Sequence, residues 1–390
     1  MKPIIPRLRP VAGSIRHLQR RAASTSTSTA APPSPDAAPS APVIFSGIQP
    51  TGIPHLGNYL GALQNWKKLQ DGAAPDTKLL YSIVDLHAIT LPQQAPMLRQ
   101  WKREMLAALL AVGIDPGRSS VFYQSSVPAH SELMWILSCT ASMGYLSRMT
   151  QWKSKLHLSD DASALDEKAK ASLKLGLFSY PVLQAADILV HRATHVPVGE
   201  DQRQHLEFAR ECATNFNHTF GAGEKLLVAP ETILSPAKRI MSLQTPSSKM
   251  SKSDTDPRSR ILLTDSAEEI RGKVMAAKTD STNAVSYDRT GRPGVSNLLE
   301  LWACFDARGR SPEQLAEELG GEKASLKDLK VRVADVLVGE IPGIGERYRE
   351  FLERDGGRYL DEVEERGAEV ARESAGATME IVKRAVGLLR

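Results

Sequence analysis

From Val43 onward, hydrophobic and polar positions follow two alternating patterns. Short apolar runs that end at glycine or polar residues predict buried β-strands at Val43–Gly47, Lys78–Val84, Ser120–Gln124 and His195–Val198. Longer stretches between them repeat apolar residues every three or four positions and predict helices, including Met97–Val112 and Ser131–Tyr145. Strands that alternate with helices predict an α/β fold class with a parallel, Rossmann-like sheet.

The last third of the chain has helical spacing throughout. Leu326, Leu329 and Val333, for example, are separated by three and four positions. The segment Gly339–Gly345 contains Pro342, which removes a backbone donor and disfavours a helix interior. We therefore expect this segment to separate two helices of an all-helical region.

Residues 1–42 differ in composition from the rest of the chain. They contain six arginine and lysine residues but a single acid, and Ser24–Thr29 is a serine-threonine repeat. This composition is typical of an organellar transit peptide, with the mitochondrial matrix favoured over a plastid; a disordered basic tail is the alternative. We therefore expect three parts, which are a leader with its linker at 1–42, an α/β domain at 43–279 and a helical domain at 280–390.

Composition sets limits on the kind of protein. The chain has 390 residues and a formal net charge of +4, but the basic leader supplies this excess. Net charge therefore gives no argument for nucleic-acid binding, which would need a local basic patch. No apolar run reaches the roughly 18 residues that a membrane helix needs. The three cysteines are far apart, which argues against a disulfide framework or a zinc site.

Polar residues follow the predicted strands. Gln49, Asp85, Gln124 and Gly199 each lie just after a strand, and the carboxyl ends of parallel strands meet at one edge of a sheet. We therefore expect these four positions to converge on a single cleft. The charged, alanine-rich segment Asp160–Lys170 is interpreted as an insertion or a mobile loop.

Two polar segments, about 200 positions apart, could bind a polyphosphate. Lys249–Ser253, with the sequence KMSKS, can place two ammonium groups and two hydroxyls around phosphates. The segment Val43–Asn58 predicts a strand, a glycine-bearing loop and a helix start near Leu56, whose free N–H groups and dipole favour an anion. His55 and Asn58 can donate hydrogen bonds there. Considered singly, a solvated surface loop and an ordinary strand-helix turn are the alternatives.

Together, these segments resemble the paired signatures of class I aminoacyl-tRNA synthetases. His55–Asn58 is similar to the HIGH signature, and Lys249–Ser253 is identical to the KMSKS signature. Many class I enzymes have a second histidine where this chain has Asn58. Asparagine keeps a donor at that position but cannot carry a titrating charge.

Further segments resemble tryptophanyl-tRNA synthetases of the bacterial and organellar type. These are Gly47–Gly52 (GIQPTG), Ile83–Thr90, Tyr180–Asp187 and Val196–Gln202 (VPVGEDQ). Tyrosyl-tRNA synthetases share a tyrosine–glutamine–aspartate pattern like that of Tyr180–Asp187, so this pattern alone does not separate the two specificities. The GEDQ segment and the intact KMSKS favour tryptophan.

The resemblance implies an activity and a set of partners. The activity is the ATP-dependent attachment of L-tryptophan to tRNA(Trp) through tryptophanyl-adenylate, for mitochondrial protein synthesis. It implies ATP and Mg²⁺, with the ion carried by ATP rather than by a metal site of the protein. It also implies a homodimer, no membrane association, and a helical domain that reads the anticodon.

The resemblance also implies roles for individual residues. Those expected to act in catalysis are Lys249, Lys252 and Gln49. Those expected to bind ATP are Gln49, Pro50, Thr51, His55, Gly57, Asn58, Gly199, Glu200, Asp201, Ile240, Lys249, Met250, Ser251, Lys252 and Ser253. Those expected to bind tryptophan are Asp187, Tyr180, Gln184, Phe45, Gly47, His87 and Gln202.

Three of these assignments rest on chemistry that the sequence leaves partly open. Indole has one polar group, an N–H donor, and we expect the carboxylate of Asp187 to accept its hydrogen bond. His87 could bond in the same pocket or could be a buried histidine with a structural role. Either Lys153 or Lys155 could supply an additional cation to ATP.

Two other functions agree with parts of the pattern. A catalytically inactive paralogue could act as an RNA-binding or regulatory protein, but the intact KMSKS and HLGN segments argue against this. A small nucleotidylyltransferase shares a histidine-glycine phosphate loop, but the long helical C-terminal region and the presence of both signatures argue against it.

Overall fold

A five-stranded, entirely parallel β-sheet forms the centre of the protein. The computed structural model describes residues 41–156, 159, 166, 172–199, 202–234 and 239–390. The strands are β1 (Val43–Ile48), β2 (Lys78–Ile83), β3 (Ser120–Tyr123), β4 (His195–Val198) and β5 (Glu231–Leu234), in the order β3-β2-β1-β4-β5. The predicted α/β class and the four predicted strands are confirmed. Strand β5 escaped prediction because its four residues carry little hydrophobic signal.

Helices connect the strands, and further helices come after β5 in the sequence. Those of the first half are α1 (Leu56–Asn58), α2 (Gln64–Gly72), α3 (Asp85–Ala88), α4 (Ala95–Ala111), α5 (Ala129–Ser138), α6 (Met143–Arg148), α7 (Gln151–Lys155) and α8 (Leu175–Leu189). Those of the second half are α9 (Arg203–Phe220), α10 (Ala267–Met275), α11 (Pro293–Phe305), α12 (Pro312–Gly321), α13 (Leu326–Glu353) and α14 (Arg358–Ala385). A π-helical turn, Tyr59–Leu63, joins α1 to α2.

Both faces of the sheet are covered by helices. In β1, Ile44 belongs to one hydrophobic cluster while Val43 and Phe45 belong to the other, as the two-residue period of a strand requires. The first cluster also contains the apolar side chains of α4 and α10–α13, and the second those of α8 and α9. The C-terminal helices thus contribute to the cores beside the sheet.

The predicted helix break at Gly339–Gly345 is wrong. Helix α13 runs through Pro342 without interruption. Its buried face includes Leu337, Ile341 and Ile344, which pack into the first cluster. Burial of these side chains outweighs the hydrogen bond that proline cannot donate. The predicted single helix at Ser131–Tyr145 is, by contrast, divided into α5 and α6.

Helix α14 approaches the edge strand β3 very closely. A Cβ atom added at Gly367 would lie 1.9 Å from the carbonyl oxygen of Val121, a distance that no side chain tolerates. The absence of a side chain at Gly367 therefore permits the helix backbone to contact the strand directly. This contact fixes the position of the following two turns of α14 relative to the sheet.

Two sequence expectations fall largely outside the described residues. The leader lies there except for its last two positions, and so does nearly all of the segment Asp160–Lys170. Within the part of the chain that the structure describes, no helix is long and apolar enough to cross a membrane.

Candidate active site

A cavity of about 790 Å³ opens at the carboxyl ends of β1 and β4. These neighbouring strands lie where the chain order of the sheet reverses, which is where ligands bind in open α/β sheets. Thirteen of the predicted site residues line this cavity, and they come from both substrate sets. They are Phe45, Gly47, Gln49, Gly57, Asn58, His87, Tyr180, Gln184, Asp187, Gly199, Gln202, Ile240 and Lys249.

The other predicted ATP residues are placed differently. Those that do not line the cavity are Pro50, Thr51, His55, Met250, Ser251, Lys252 and Ser253. Among these, Met250 is almost fully buried and its N–H donates to the carbonyl oxygen of Ile240 at 3.0 Å. Glu200 and Asp201 lie outside the described residues.

The start of α1 is organised by a reciprocal hydrogen-bond pair. The backbone N–H of Asn58 donates to Nδ1 of His55 at 3.3 Å, and the backbone N–H of His55 donates to Oδ1 of Asn58 at 3.1 Å. Burial and the nearby lysines lower the pKa of His55 to about 4, so its ring is neutral. Because Nδ1 accepts, the proton lies on Nε2, which is left as the donor of this ring. The side-chain amide N–H groups of Asn58, which lines the cavity, supply a second donor.

The KMSKS segment bridges two parts of the site. Lys249 lines the cavity, and it pairs with Met241 in an isolated β-bridge. The ammonium group of Lys252 instead donates to the carbonyl oxygens of Gly52 at 2.7 Å and Thr51 at 3.2 Å. Burial lowers the pKa of Lys252 to about 8. In this conformation Lys252 therefore fastens the segment to the loop that follows β1.

Asp187 is a deeply buried polar residue of the cavity wall, with 1% of its surface exposed. Its Oδ1 accepts from Nε2 of Gln124 and from Nδ1 of His130, both at 2.7 Å, and its Oδ2 accepts from Nε2 of His87 at 2.8 Å. Burial alone would raise the pKa of Asp187, but the hydrogen bonds from His130 and His87 outweigh burial and hold it below its usual range. A carboxylate is therefore maintained at a buried position in the cavity wall.

A second set of hydrogen bonds lies in the wall of the same cavity. The hydroxyl of Tyr180 lies 3.1 Å from Nε2 of His205, whose Nδ1 lies 2.9 Å from Oε1 of Gln202. Gln184 donates to the same oxygen of Gln202 at 3.4 Å. Three residues predicted to bind tryptophan are thus connected through His205, which the sequence analysis did not identify.

Lys153 and Lys155 lie at different positions relative to the cavity. Lys155 lines the cavity, and its ammonium group lies 4.8 Å from the centre of the Tyr180 ring. Burial lowers the pKa of Lys155. Lys153 is buried beside the ring of Trp152 and does not line the cavity. The geometry therefore favours Lys155 as the additional cation.

Sequence reasoning missed several residues of the site and misplaced two. His130 and His205 contact predicted residues, but neither lies in a segment singled out for its pattern. Asp85 and Gln124 were expected in the cleft, but neither lines the cavity. Asp85 forms an ion pair with Lys102 at 2.6 Å and accepts from Ser125, and Gln124 is fully buried and donates to Asp187. These roles follow from the side chains that each residue contacts in the folded protein, and the sequence does not show those contacts.

The described residues offer no ligand set of their own for a metal ion. No group of three or more histidine, cysteine, aspartate or glutamate side chains among them could hold one. The acceptor positions of Asp187, which lines the cavity, are largely occupied by the donors described above. Mg²⁺ would consequently depend on the phosphates of a nucleotide for its ligands.

Comparison with known proteins agrees with this geometry. Residues 39–339 match the sequence family described as tRNA synthetases class I (W and Y). The mitochondrial tryptophan–tRNA ligase of Schizosaccharomyces pombe is 45% identical over 351 residues, which cover 88% of this chain and 95% of that protein. The mitochondrial tryptophan–tRNA ligase of Saccharomyces cerevisiae is 42% identical over 349 residues, which cover 88% of this chain and 90% of that protein.

Solved structures show the same fold. Tryptophanyl-tRNA synthetase from Mycoplasma pneumoniae superposes with a TM-score of 0.73 at 31% identity, over 89% of this chain and 98% of that one. The enzyme from Campylobacter jejuni, solved with ADP and tryptophan, gives 0.70 at 30% identity, over 88% and 99%. This chain belongs to the class I tRNA synthetases for tryptophan and tyrosine. Within that family, both of these curated relatives and both of these solved structures are tryptophan enzymes.

Proposed function

We propose that this protein is a tryptophan–tRNA ligase, which activates L-tryptophan with ATP as tryptophanyl-adenylate and transfers it to tRNA(Trp) in mitochondria. The observation that carries the proposal is the cavity at the switch point of the sheet. In it, Gly57 and Asn58 of the HLGN segment, Lys249 of KMSKS and the buried carboxylate of Asp187 face the same space. The relatives at 42–45% identity, all named for tryptophan, support the same choice.

Recognition of the amino acid follows from the state of Asp187. Its carboxylate can accept the indole N–H, and Phe45 supplies an aromatic wall of the same cavity. Tyrosine and phenylalanine have no donor at the position of the indole nitrogen, so the buried carboxylate would lose one partner. Sites of this kind can discriminate by about 10⁴-fold or more without editing.

Adenylate formation brings together two anions, the tryptophan carboxylate and the triphosphate. The carboxylate oxygen attacks the α-phosphorus, a new P–O bond forms, and the bond to the β-phosphate bridging oxygen breaks with release of pyrophosphate. Asn58 offers a donor at a helix start, and Lys249 and Lys155 bring positive charge to the cavity. These groups stabilise charge that develops on the phosphates, so no covalent nucleophile of the protein is required.

The adenylate can be tested without tRNA. The purified enzyme, incubated with ATP and tryptophan, should retain tryptophanyl-adenylate, which mass spectrometry of the denatured complex detects. Addition of tRNA(Trp) should then convert it to Trp-tRNA and AMP. If charged tRNA formed without any adenylate in single-turnover experiments, the two-step reaction would be wrong, although the ligase assignment would stand.

The partners follow from the remaining surfaces. We assign anticodon recognition to the helical region at 280–390, as its place after the catalytic elements suggests.

A homodimer is supported by the large exposed side chains Trp135, Met143 and Leu175 on α5, α6 and α8, since α8 packs against both other helices. Light scattering should show a dimer, and Trp135→Asp should shift it toward monomer if this face forms the interface.

The cellular location is inferred from the leader and the relatives. Residues 1–42 have transit-peptide composition, and the two relatives at 42–45% identity are named mitochondrial. A reporter fused to residues 1–45 should therefore enter the mitochondrial matrix. A reporter that stays in the cytosol would remove this location but would leave the enzymatic proposal intact, because the two arguments use different residues.

A further inference from the structure

A chain of buried hydrogen bonds leads from Asp187 to the C-terminal helix α14. Nδ1 of His130 donates to Asp187 at 2.7 Å, and Nε2 of His130 lies 3.3 Å from Nε2 of His191. Nδ1 of His191 lies 3.2 Å from the hydroxyl of Ser374. Every ring nitrogen of the two histidines thus has a polar partner. Ser374 stands 183 positions after His191, so this contact exists only in the folded protein.

The environment of the two rings is apolar. His130 and His191 are both buried, and the ring of His191 stacks on Phe45 at a centroid distance of 5.6 Å. The ring of Phe122 lies 6.0 Å from His130 and 5.8 Å from His191. In such surroundings an unpaired ring nitrogen would cost about 1–3 kcal/mol. The hydrogen bonds therefore strongly constrain the orientation of both rings.

With both rings neutral, a single arrangement of hydrogens satisfies every contact. The carboxylate of Asp187 can only accept, so Nδ1 of His130 carries a proton and its Nε2 accepts. Nε2 of His191 must then donate, and its Nδ1 accepts from the hydroxyl of Ser374. Burial and the neighbouring His130 hold the pKa of His191 well below its usual value, which agrees with a neutral ring. All three donors in the chain then point toward Asp187 and polarise one another.

These hydrogen bonds leave the carboxylate of Asp187 with one acceptor position whose direction is defined. A carboxylate has about four acceptor positions. Among the described residues, Gln124 and His130 occupy two positions on Oδ1, and His87 occupies one on Oδ2. One position on Oδ2 remains, and these three donors fix the plane of the carboxylate and therefore the direction of that position.

We propose that His130, His191 and Ser374 act as positioning residues for tryptophan recognition, because they orient the acceptor of Asp187 that receives the indole N–H. Helix α14 thereby takes part in amino-acid selection from outside the cavity. The close contact of Gly367 with β3, seven residues before Ser374, holds the helix where this hydroxyl reaches His191. The inference rests on the proposed tryptophan specificity.

The experiment uses a matched pair of variants at Ser374. Ser374→Ala removes the hydroxyl at a half-buried helix position, where alanine is well tolerated. Ser374→Thr restores it, and a second cavity of about 460 Å³, which Ser374 also lines, provides room for the added methyl group. Ser179→Ala is the control, because among the described residues its hydroxyl bonds only to the carbonyl oxygen of Leu175 in its own helix. His191→Phe removes the central residue of the hydrogen-bond chain but keeps an aromatic ring.

The readout is ATP–pyrophosphate exchange with two substrates, tryptophan and an analogue in which sulfur replaces the indole N–H. We expect Ser374→Ala to raise KM for tryptophan about 3-fold, because one neutral hydrogen bond is lost. We expect His191→Phe to raise it about 10-fold, because the central residue of the hydrogen-bond chain is lost. KM for the analogue and kcat should stay near wild-type values. Ser374→Thr and Ser179→Ala should behave like wild type.

The outcomes separate this inference from the proposed function. A wild-type enzyme that does not exchange with tryptophan would refute the proposed function itself. If wild type is active but Ser374→Ala raises KM equally for tryptophan and for the sulfur analogue, the effect is a general distortion of the pocket and the positioning role is overturned. The same holds if neither KM changes. Should His191→Phe fail to fold, the Ser374 pair still decides the question.

Discussion

Removal of the Lys252 ammonium group should slow adenylate formation far more than it weakens ATP binding. In the structure this group donates to the carbonyl oxygens of Thr51 and Gly52 and does not line the cavity. To reach a phosphate, it must first give up these hydrogen bonds. Before reaction, the contact that Lys252 gains with a phosphate of ATP is therefore offset by the loss of its hydrogen bonds to the carbonyl oxygens. Lys252→Ala should consequently change the Kd of ATP only slightly.

The transition state differs because negative charge accumulates on the departing pyrophosphate. Loss of one positioned donor at such a point costs about 3–4 kcal/mol, or roughly 10²–10³-fold in rate. We therefore expect Lys252→Ala to reduce the rate constant of tryptophanyl-adenylate formation by roughly 10²–10³-fold.

Pre-steady-state kinetics measure both quantities in one series. Rapid mixing of enzyme and tryptophan with increasing ATP gives the apparent Kd from the half-saturation and the rate constant from the plateau. Ser253→Ala, next in the same segment, is a control that removes a hydroxyl but no charge. A Lys252→Ala enzyme that binds ATP poorly but reaches the wild-type plateau would show that the lysine only docks ATP, and the reasoning would be refuted.

Three further predictions concern charge and packing. Because burial lowers the pKa of Lys252 to about 8, kcat/KM for ATP should fall above that pH as the ammonium loses its proton, and Lys252→Arg should abolish the fall. Asp187→Asn should raise KM for tryptophan by 10-fold or more and change KM for ATP little, because an amide placed against three donors reorients and loses the indole contact; equal effects on both KM values would contradict this role. Gly367→Ala should lower the free energy of unfolding by about 1–3 kcal/mol, whereas Gly376→Ala in the same helix, where an added Cβ meets nothing within 4 Å, should be neutral or stabilising in urea titrations.

The layout of the sheet was predictable because strands leave a local signal. Four of five strands have short apolar runs with clear ends, and the segments that follow β1, β2 and β4 line the cavity. Strand β5 could not be found in this way, since only the last two of its four residues, Glu231–Leu234, are apolar. The continuity of α13 through Pro342 was unpredictable for a different reason, because tertiary burial of its apolar face overrides a local preference.

The site shows the same division between local and long-range information. His55, Asn58 and Lys249 lie in segments whose residue types match phosphate binding, and each belongs to a short continuous stretch. The partners of Asp187 are scattered, with His87 100 positions and His130 57 positions away in sequence. A lone buried histidine gives no pattern, so its role follows only from the atoms it contacts in the folded chain.

The central claim is that this cavity activates tryptophan, and ATP–pyrophosphate exchange tests it most directly. The wild-type enzyme would be assayed with each of the twenty amino acids in separate reactions under identical conditions. The account predicts rapid exchange with tryptophan and exchange with tyrosine lower by about 10⁴-fold or more in kcat/KM. Exchange driven by tyrosine at a comparable rate, or by no amino acid, would contradict it.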